Sequence, residues 1–173
     1  SVEFAEHREY SAGDDIKHLD WKVFGRTDRL YIKEYELETN LRSHILIDTS
    51  ESMDYKSGEI SKLELASFIG ASMAYLILKQ QYSVGMVCFD REVRNFLPTS
   101  SSMGHMRAIL GVLAQSQAKN KTDLSVIFNT LAERFRQKGL VIIISDLFDR
   151  PEVILKGLQH FRHKRHDVIV FHV

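Results

Sequence analysis

The sequence predicts an α/β protein with a doubly wound, mostly parallel sheet and helices on both faces. Apolar runs typical of buried strands alternate with longer stretches typical of helices, and this alternation favours parallel strands joined by helical crossovers. The most apolar run, Leu-Val-Ile-Ile-Ile at residues 140–144, carries aliphatic side chains at every position, as a central strand buried on both faces requires.

The predicted strands follow one another in a regular order after residue 40. They are 43–48, 83–89, 140–145 and 167–173, with a short hairpin partner of the second at 94–98. Proline cannot donate a hydrogen bond to a neighbouring strand, so Pro98 indicates an edge of the sheet or an exit from it.

The predicted helices fill the gaps between these strands, at 61–80, 103–115, 123–137 and 151–163. The first opens with the capping-box pattern Ser61-Lys62-Leu63-Glu64. The third is expected to end at a cap on Gly139, and Pro151 opens the last helix within its first turn.

Residues 1–40 differ in character from the rest, being charged, aromatic and irregular until residues 30–35 alternate like a strand. We expect them to form a front segment packed on the sheet, with the sheet domain spanning 41–173. A chain of 173 residues is long enough for one ordinary core. Because it opens on Ser1 and stops on an apolar strand, we expect it to be a piece of a longer protein, truncated at both ends.

The charge balance, the longest uncharged stretch and the single cysteine indicate which partners and which cellular compartment to expect. The chain has 23 basic and 23 acidic side chains, so no net field favours nucleic acid or an anionic membrane. The uncharged stretch 65–78 is shorter than the roughly 18–20 apolar residues of a bilayer span, so no membrane contact is expected from this segment. The lone Cys88 lies in an apolar strand and is expected to be a structural thiol in a reducing compartment, which favours a cytoplasmic location. Membrane anchoring by segments outside this chain stays an open alternative.

Oxygen-bearing side chains follow the first predicted strand. Asp48, Ser50 and Ser52 occupy alternate positions after the apolar run 45–47, so in an extended backbone they point the same way. Asp146 ends the central strand, and Thr122 precedes a helix. Because ligands of parallel sheets gather beyond the carboxyl ends of the strands, these side chains are expected to converge on Mg²⁺, Mn²⁺ or Ca²⁺.

This order of residues resembles von Willebrand factor type A domains, whose metal-ion-dependent adhesion site reads Asp-x-Ser-x-Ser, then Thr, then Asp. The resemblance covers roughly residues 43–173. It implies that Asp48, Ser50 and Ser52 bind the ion directly or through water. It further implies that Thr122 joins in one conformational state and that Asp146 acts mostly through water.

Simpler interpretations of the same residues remain open. Ser50 and Ser52 are also typical of turns and N-caps, Thr122 of a cap for the helix that starts at Asp123, and Asp146 of a strand-end turn. A structural domain with a vestigial metal site is a further alternative.

A Mg²⁺-dependent phosphohydrolase that uses Asp48 as its nucleophile is the competing enzymatic class, as in haloacid-dehalogenase-like phosphatases. Those enzymes need a second carboxylate two residues on as general acid. Ser50 stands there instead and has no useful pKa for that role. We therefore expect a binding module and not an enzyme.

The front segment is similar to the signature of the bacterial and archaeal family called domain of unknown function 58. The matching residues are Arg8, Tyr10, Gly13, Asp14, Asp15, Asp20-Trp21, Arg26 and Lys33-Glu34-Tyr35. Ala12 and Gly25 depart mildly from the usual proline and alanine. The resemblance implies an adaptor that works with a MoxR-type AAA+ ATPase.

Two groups of charged side chains outside the metal set have an open role. The first is either a buried ionic scaffold or a partner-docking surface, and its members are Arg8, Asp14, Asp15, Arg26 and Lys33. The second is His160, His163 and His166, where a zinc site is disfavoured because helical spacing aligns at most two of them.

The expected function is thus a divalent-metal-dependent protein–protein interaction module. Two carboxylates and three neutral hydroxyls do not fully neutralise a divalent ion that takes about six oxygens. A Glu or Asp from the protein partner is therefore expected to complete the site.

Overall fold

The computed structural model describes residues 2–37 and 41–173. The chain divides into two compact units, Ser1–Asn40 and Leu41–Val173, which are described separately here. The expected packing of the front segment on the sheet stays a prediction.

The first unit is built on a two-stranded antiparallel sheet of β1 (Val2–Glu9) and β2 (Tyr31–Leu37). A short 3-10 turn (Ile16–His18) and helix α1 (Trp21–Thr27) connect the two strands. The expectation that this segment is irregular before residue 30 is wrong. Strand β1 forms because it pairs with β2 far along the chain, and local periodicity does not reveal a non-local pairing of this kind.

The second unit contains a five-stranded sheet of β3 (Arg42–Asp48), β4 (Ser83–Phe89), β5 (Val93–Ser100), β6 (Leu140–Ser145) and β7 (Asp167–His172). The strand order is β5-β4-β3-β6-β7, and only β5 runs antiparallel to its neighbour. Pro98 lies in β5, at the edge of the sheet, as predicted.

Four helices cover the two faces of this sheet: α2 (Lys62–Lys79), α3 (His105–Gln115), α4 (Leu124–Arg134) and α5 (Pro151–His163). Alternate residues of β3 face opposite cores. Ile45 and Ile47 pack with residues of α2 and α3, whereas Leu46 packs with residues of α4 and α5. This burial on both faces explains the continuous apolar runs of the central strands.

Helix α2 begins as the sequence predicts. The Ser61 side chain accepts a hydrogen bond from the Glu64 backbone, and the Glu64 side chain accepts one from the Ser61 backbone. Gly70 lies where this helix crosses β3, and a Cβ there would meet Ile47 Cδ1 at 2.8 Å. The glycine therefore permits the close approach of helix and sheet.

The predicted end of α4 is wrong. The helix stops at Arg134, with Phe135 as its C-cap, so Gly139 does not cap it. Gly139 instead passes so close to the carbonyl oxygen of Arg42 that a Cβ would not fit. The glycine is needed because the chain passes Arg42 of β3 just before it enters β6. This need arises from a neighbouring strand, so the sequence around Gly139 does not reveal it.

The winding of the sheet reverses at β3. The chain goes from β3 to β4 on one side and later returns to β6 on the other side. The loops that follow β3 and β6 therefore emerge next to each other, at the position where ligands bind in sheets of this type. Among the described residues, no helix combines the length and apolar character needed to cross a lipid bilayer.

A buried histidine lies near the start of β3. His44 stacks on Phe135 with ring centroids 3.8 Å apart, and its Nδ1 has no hydrogen-bond partner among the described residues. Burial lowers the pKa of His44 from 6.5 to about 4, and the nearby charges of His166 and Arg42 add to the effect. The folded protein therefore keeps this imidazole neutral.

We predict that His44 makes the protein less stable in mild acid. Between pH 6.5 and about 4 the unfolded chain binds a proton that the folded chain rejects, so the free energy of unfolding falls as the pH falls through this window. The full effect is roughly 3 kcal/mol. Urea unfolding at pH 7.5 and pH 4.5 should show a smaller acid-induced loss for His44→Gln than for the wild type. The exposed His163→Gln is the matched control, and an equal loss in all three proteins would contradict the prediction.

Candidate metal and partner-binding site

Asp48 ends β3 and is fully buried, with 0% of its surface exposed. Its Oδ1 accepts a hydrogen bond from the backbone N–H of Ser50 at 2.8 Å, and its Oδ2 accepts one from the Ser145 hydroxyl at 2.5 Å. Burial raises the pKa of the Asp48 carboxyl, although these hydrogen bonds oppose the shift. A buried carboxylate held in this way is stabilised by opposite charge, from a cation or from a neighbouring side chain.

The backbone N–H of Ser50 and the hydroxyl groups of Ser50 and Ser52 connect Asp48 with Asp146. Ser50 Oγ lies 3.2 Å from Ser52 Oγ, and the Ser52 hydroxyl donates to Asp146 Oδ1 at 3.1 Å. The two serines do not reach this position by strand alternation, because residues Glu51–Asp54 form a 3-10 turn. The two serines therefore lie between the carboxylates, but a turn places them there and not the extended backbone that the sequence predicts.

Asp146 follows β6 and is 6% exposed. Its Oδ1 accepts the hydrogen bond from Ser52, and its Oδ2 lies 2.9 Å from the Lys62 ammonium group. The ring of His172 donates to its backbone carbonyl at 3.0 Å. Two contacts therefore hold the carboxylate, a third holds the backbone of Asp146, and the carboxylate faces the loop that follows β3.

Thr122 is the member of the predicted set without a contact to the others. Its hydroxyl donates to the carbonyl oxygen of Asp90 at 3.3 Å. It does not cap α4, because the Asp123 side chain does so by accepting from the Val126 N–H. The structure therefore brings Asp48, Ser50, Ser52 and Asp146 together and leaves Thr122 in a neighbouring loop.

The simpler interpretations of the serines can also be compared with the geometry. Ser50 is the N-cap residue of the 3-10 turn, but its side chain makes no capping hydrogen bond. The Ser52 hydroxyl bonds to a carboxylate 94 residues away in the sequence. Local turn chemistry alone therefore does not account for these hydroxyl groups.

Two residues of the site were missing from the sequence prediction. Ser145 is fully buried and donates to Asp48, while its Oγ accepts from the Leu147 N–H at 2.9 Å. Lys62 pairs with Asp146. Ser145 precedes a predicted ligand, and Lys62 lies inside the capping box. Neither position indicates the contact with an aspartate, because each contact forms only when elements far apart in the sequence meet in space.

A third buried acid lies at the same edge of the sheet, after β4. Asp90 is 2% exposed and accepts hydrogen bonds from Arg94 Nε at 2.8 Å and from Asn120 Nδ2 at 2.8 Å. Burial alone raises its pKa, but the hydrogen bonds from Arg94 and Asn120 outweigh that effect and hold the pKa of Asp90 below its ordinary value. The charge of Asp90 is therefore balanced by Arg94 of β5.

The loop that carries Thr122 is joined to the loop of Asp48 by backbone hydrogen bonds. The Glu51 N–H donates to Asn120 O at 2.7 Å, and the Lys119 N–H donates to Thr49 O at 2.9 Å. The Thr49 hydroxyl in turn donates to the carbonyl of Phe89 at 2.9 Å. Three loops thus form one connected edge.

The donor atoms at this edge fit a hard divalent cation in kind and in place. They are carboxylate and hydroxyl oxygens, without imidazole or thiolate, and such donors suit Mg²⁺, Mn²⁺ or Ca²⁺. Within residues 2–37 and 41–173, no group of three or more His, Cys, Asp or Glu side chains is placed to hold a metal ion. Any metal bound here would therefore rest on two carboxylates and neighbouring hydroxyls.

The charged residues of the first unit form ionic contacts of their own. Arg8 pairs with Asp14 at 2.9 Å, and Asp14 also accepts from the Ser11 N–H at 2.8 Å. Asp15 caps the 3-10 turn by accepting from the Lys17 N–H, and Arg26 lies exposed in the last turn of α1.

Asp20 is the buried centre of this unit, and the sequence analysis gave it no role beyond its place in the family signature. It caps α1 by accepting from the Lys22 and Val23 N–H groups, and it lies 2.9 Å from His7 Nε2 and 3.3 Å from Lys33 Nζ. The hydrogen bond with His7 holds the pKa of Asp20 well below its ordinary value. Lys33 therefore has a scaffold contact.

The histidines at the end of α5 do not converge. His160 lies 3.2 Å from Glu133 Oε1, whereas the buried His166 donates to the carbonyl of Phe135 at 3.2 Å. His163 is exposed.

Comparison with known sequences gives one family and several uncharacterised relatives. The family model described as protein of unknown function DUF58 matches residues 6–173. Uncharacterized protein Rv1480 of Mycobacterium tuberculosis is 26% identical over 171 residues, covering 97% of this chain and 53% of that protein. Uncharacterized protein YeaD of Bacillus subtilis is 28% identical over 110 residues, covering 64% of this chain and 25% of that protein. The chain spans about half of Rv1480 and a quarter of YeaD.

Comparison with solved structures concerns the fold alone. The conserved hypothetical protein BatB from Bacteroides thetaiotaomicron has a TM-score of 0.60 at 20% identity, covering 75% of this chain and 65% of that chain. A von Willebrand factor type A protein from Catenulispora acidiphila has a TM-score of 0.47 at 14% identity, covering 75% of this chain and 32% of that chain. The predicted fold class, an α/β protein with a doubly wound, mostly parallel sheet and helices on both faces, is confirmed.

We predict that the Asp48 carboxylate lowers the stability of the metal-free protein. Because burial raises its pKa, the folded state holds a proton more strongly than the unfolded state, and stability falls as the pH rises from about 3.8 through the raised pKa. Asp48→Asn keeps the size and an acceptor without the charge. Urea unfolding at pH 7 in chelator should give a higher free energy of unfolding for this variant than for the wild type. The exposed Asp54→Asn is the control, and a less stable Asp48→Asn would contradict the prediction.

Proposed function

The chain belongs to the DUF58 family of proteins of unknown function, and we propose that it is a protein-interaction module that binds a partner through a divalent cation. The von Willebrand factor A-like fold is itself often a protein-interaction module. The cation, Mg²⁺ or else Mn²⁺ or Ca²⁺, is held by Asp48, Ser50, Ser52 and Asp146. Thr122 joins this set when its loop moves toward the ion.

The observation that carries the proposal is the connected path from one buried carboxylate to the other. Asp48 and Asp146 follow different strands, yet Ser50 and Ser52 join them. The Ser50 N–H donates to Asp48 at 2.8 Å, the two serine hydroxyls lie 3.2 Å apart, and the Ser52 hydroxyl donates to Asp146 at 3.1 Å. Two carboxylates and neutral hydroxyls do not saturate a divalent ion that takes about six oxygens. An acidic side chain of the partner, Glu or Asp, is the ligand that best supplies the missing charge.

The geometry argues against a phosphohydrolase that uses Asp48 as nucleophile. Both oxygens of Asp48 accept hydrogen bonds, and its surface is 0% exposed, so attack on phosphorus by either oxygen would compete with the contact that this oxygen already makes. Ser50, two residues on, points its hydroxyl at Ser52 and offers no proton near neutral pH. We therefore assign binding and no catalysis to this site.

The partner and the compartment are part of the same proposal. By its resemblance to the DUF58 family, the chain acts as an adaptor for a MoxR-type AAA+ ATPase. Cys88 is 1% exposed, and burial raises the pKa of its thiol, which supports a structural role in a reducing, cytoplasmic setting. Because the chain spans only part of its relatives, these proposals concern the larger protein as well.

We predict that metal binding depends on Asp48. Calorimetric titration of the chelator-treated protein with Mg²⁺ or Mn²⁺ should give a one-site isotherm. Asp48→Ala should weaken it by more than about 100-fold, since loss of mere outer-shell partners already weakens metal sites 10–100-fold. Asp54→Ala, which removes an exposed carboxylate close by, is the matched control. Equal affinities for Asp48→Ala and the wild type would contradict the assignment of the site.

We predict further that partner binding requires the ion. Immobilised wild-type protein should retain the MoxR-type ATPase of the same genome in Mg²⁺ and release it in chelator, whereas Asp48→Ala should not retain it in either condition. Retention that is unaffected by chelator would support a structural domain with a vestigial site. Turnover of p-nitrophenyl phosphate in Mg²⁺ by the wild type, lost in Asp48→Asn, would support the phosphohydrolase alternative instead.

A further inference from the structure

Lys62 occupies an unusual position for a cation. It is the first residue of α2, where the positive end of the helix dipole disfavours a positively charged side chain. Its ammonium group is nevertheless held 2.9 Å from Asp146 Oδ2, a carboxylate whose side chain is only 3% exposed. An electrostatically unfavourable placement next to the candidate metal site indicates a role for this lysine at that site.

The loop before α2 fixes the lysine in this place. The Lys62 N–H donates to the carbonyl of Tyr55 at 3.1 Å, and Lys56 pairs with Ser61 in an isolated β-bridge. The ammonium nitrogen also lies 5.6 Å from the centre of the Tyr55 ring, within the range of a cation–π contact. The direction of the side chain is therefore determined by its own loop as well as by Asp146.

The contacts of the two carboxylates show what Lys62 replaces. Both oxygens of Asp48 and Oδ1 of Asp146 accept hydrogen bonds from neutral groups of the chain. Oδ2 of Asp146 is the one oxygen of the pair that meets a positive charge. Lys62 thus supplies Asp146 with the positive charge that a bound divalent ion would otherwise supply.

We propose that Lys62 and a divalent cation compete for Asp146, so that this lysine sets the metal concentration at which the site fills. The proposal rests on the proposed function, because it concerns the same cation site. With both cations present, three positive charges would face two carboxylates. Either Lys62 moves away when the ion binds, or it stays and its repulsion weakens the binding of the ion.

The lysine has room to leave. Its side chain is 30% exposed, so the ammonium group can turn into solvent without crossing the core. A displaced Lys62 remains beside the edge of the sheet, where it adds a positive charge to the surface that an acidic partner approaches. Metal occupancy and recognition of the partner are then coupled through one side chain.

The test is calorimetric titration with Mg²⁺ and with Mn²⁺ alone, on the wild type and on Lys62→Met, which keeps much of the side-chain length without the charge. We expect Lys62→Met to bind the ion at least about tenfold more tightly, the order expected from removing one nearby charge. The control is Lys56→Met, a lysine of the same loop that pairs with Glu64 at 3.7 Å and not with the site. Unchanged or weaker binding in Lys62→Met would overturn the proposal.

Thermal unfolding provides a second readout that does not depend on partner binding. In chelator, Lys62→Met should unfold at a lower temperature than the wild type because Asp146 loses its counter-charge, and Mg²⁺ should raise the unfolding temperature of the variant more than that of the wild type. Equal increases in the two proteins would count against competition.

The outcomes also separate this inference from the proposed function. If Asp48→Ala abolishes metal binding while Lys62→Met leaves the affinity unchanged, the cation site stands and the competition is wrong. If Lys62→Met binds Mg²⁺ and the wild type does not, the competition is supported and Lys62 keeps the native site closed to the ion. If neither the wild type nor Lys62→Met binds an ion, both the cation site and the competition are wrong.

Discussion

The burial of the Asp48 carboxylate at the end of β3 is the constraint on which the functional edge depends. A fully buried anion needs hydrogen bonds and opposite charge nearby, and the chain supplies the first through Ser50 and Ser145. Ser145 comes from β6, which lies beside β3 only because the winding of the sheet reverses there. The topology thus brings into contact two residues that are 97 positions apart in the sequence.

The elements with strong local signals could be predicted from the sequence. The aliphatic run of β6, the capping box of α2 and the opening proline of α5 each determine an element largely by themselves. Strand β1 and the end of α4 could not be predicted in this way. The first needs a distant partner strand, and Gly139, the expected cap of the second, is needed instead where the chain passes the Arg42 carbonyl.

The candidate site shows the same division. Side chains that belong to a spaced motif, such as Asp48 and Ser52, were found because the spacing itself carries the chemistry. The roles of Lys62 and Asp20 were not predicted, because each role arises from a partner on another element. Lys62 meets a carboxylate 84 positions away, and Asp20 joins the start of α1 to His7 on β1. Sequence motifs therefore identify candidate metal-binding side chains more readily than the oppositely charged side chains that pair with them.

The pair of backbone hydrogen bonds between Thr49, Glu51 and the 119–120 segment has a mechanical consequence. The turn that carries the serines cannot shift without either breaking these bonds or moving residues 119–120 with it. Residues 119–120 lead into α4, whose apolar side chains pack on the face of the sheet away from α2 and α3. A displacement of the turn is therefore passed along the backbone to α4, a helix that contributes none of the residues proposed to hold the cation.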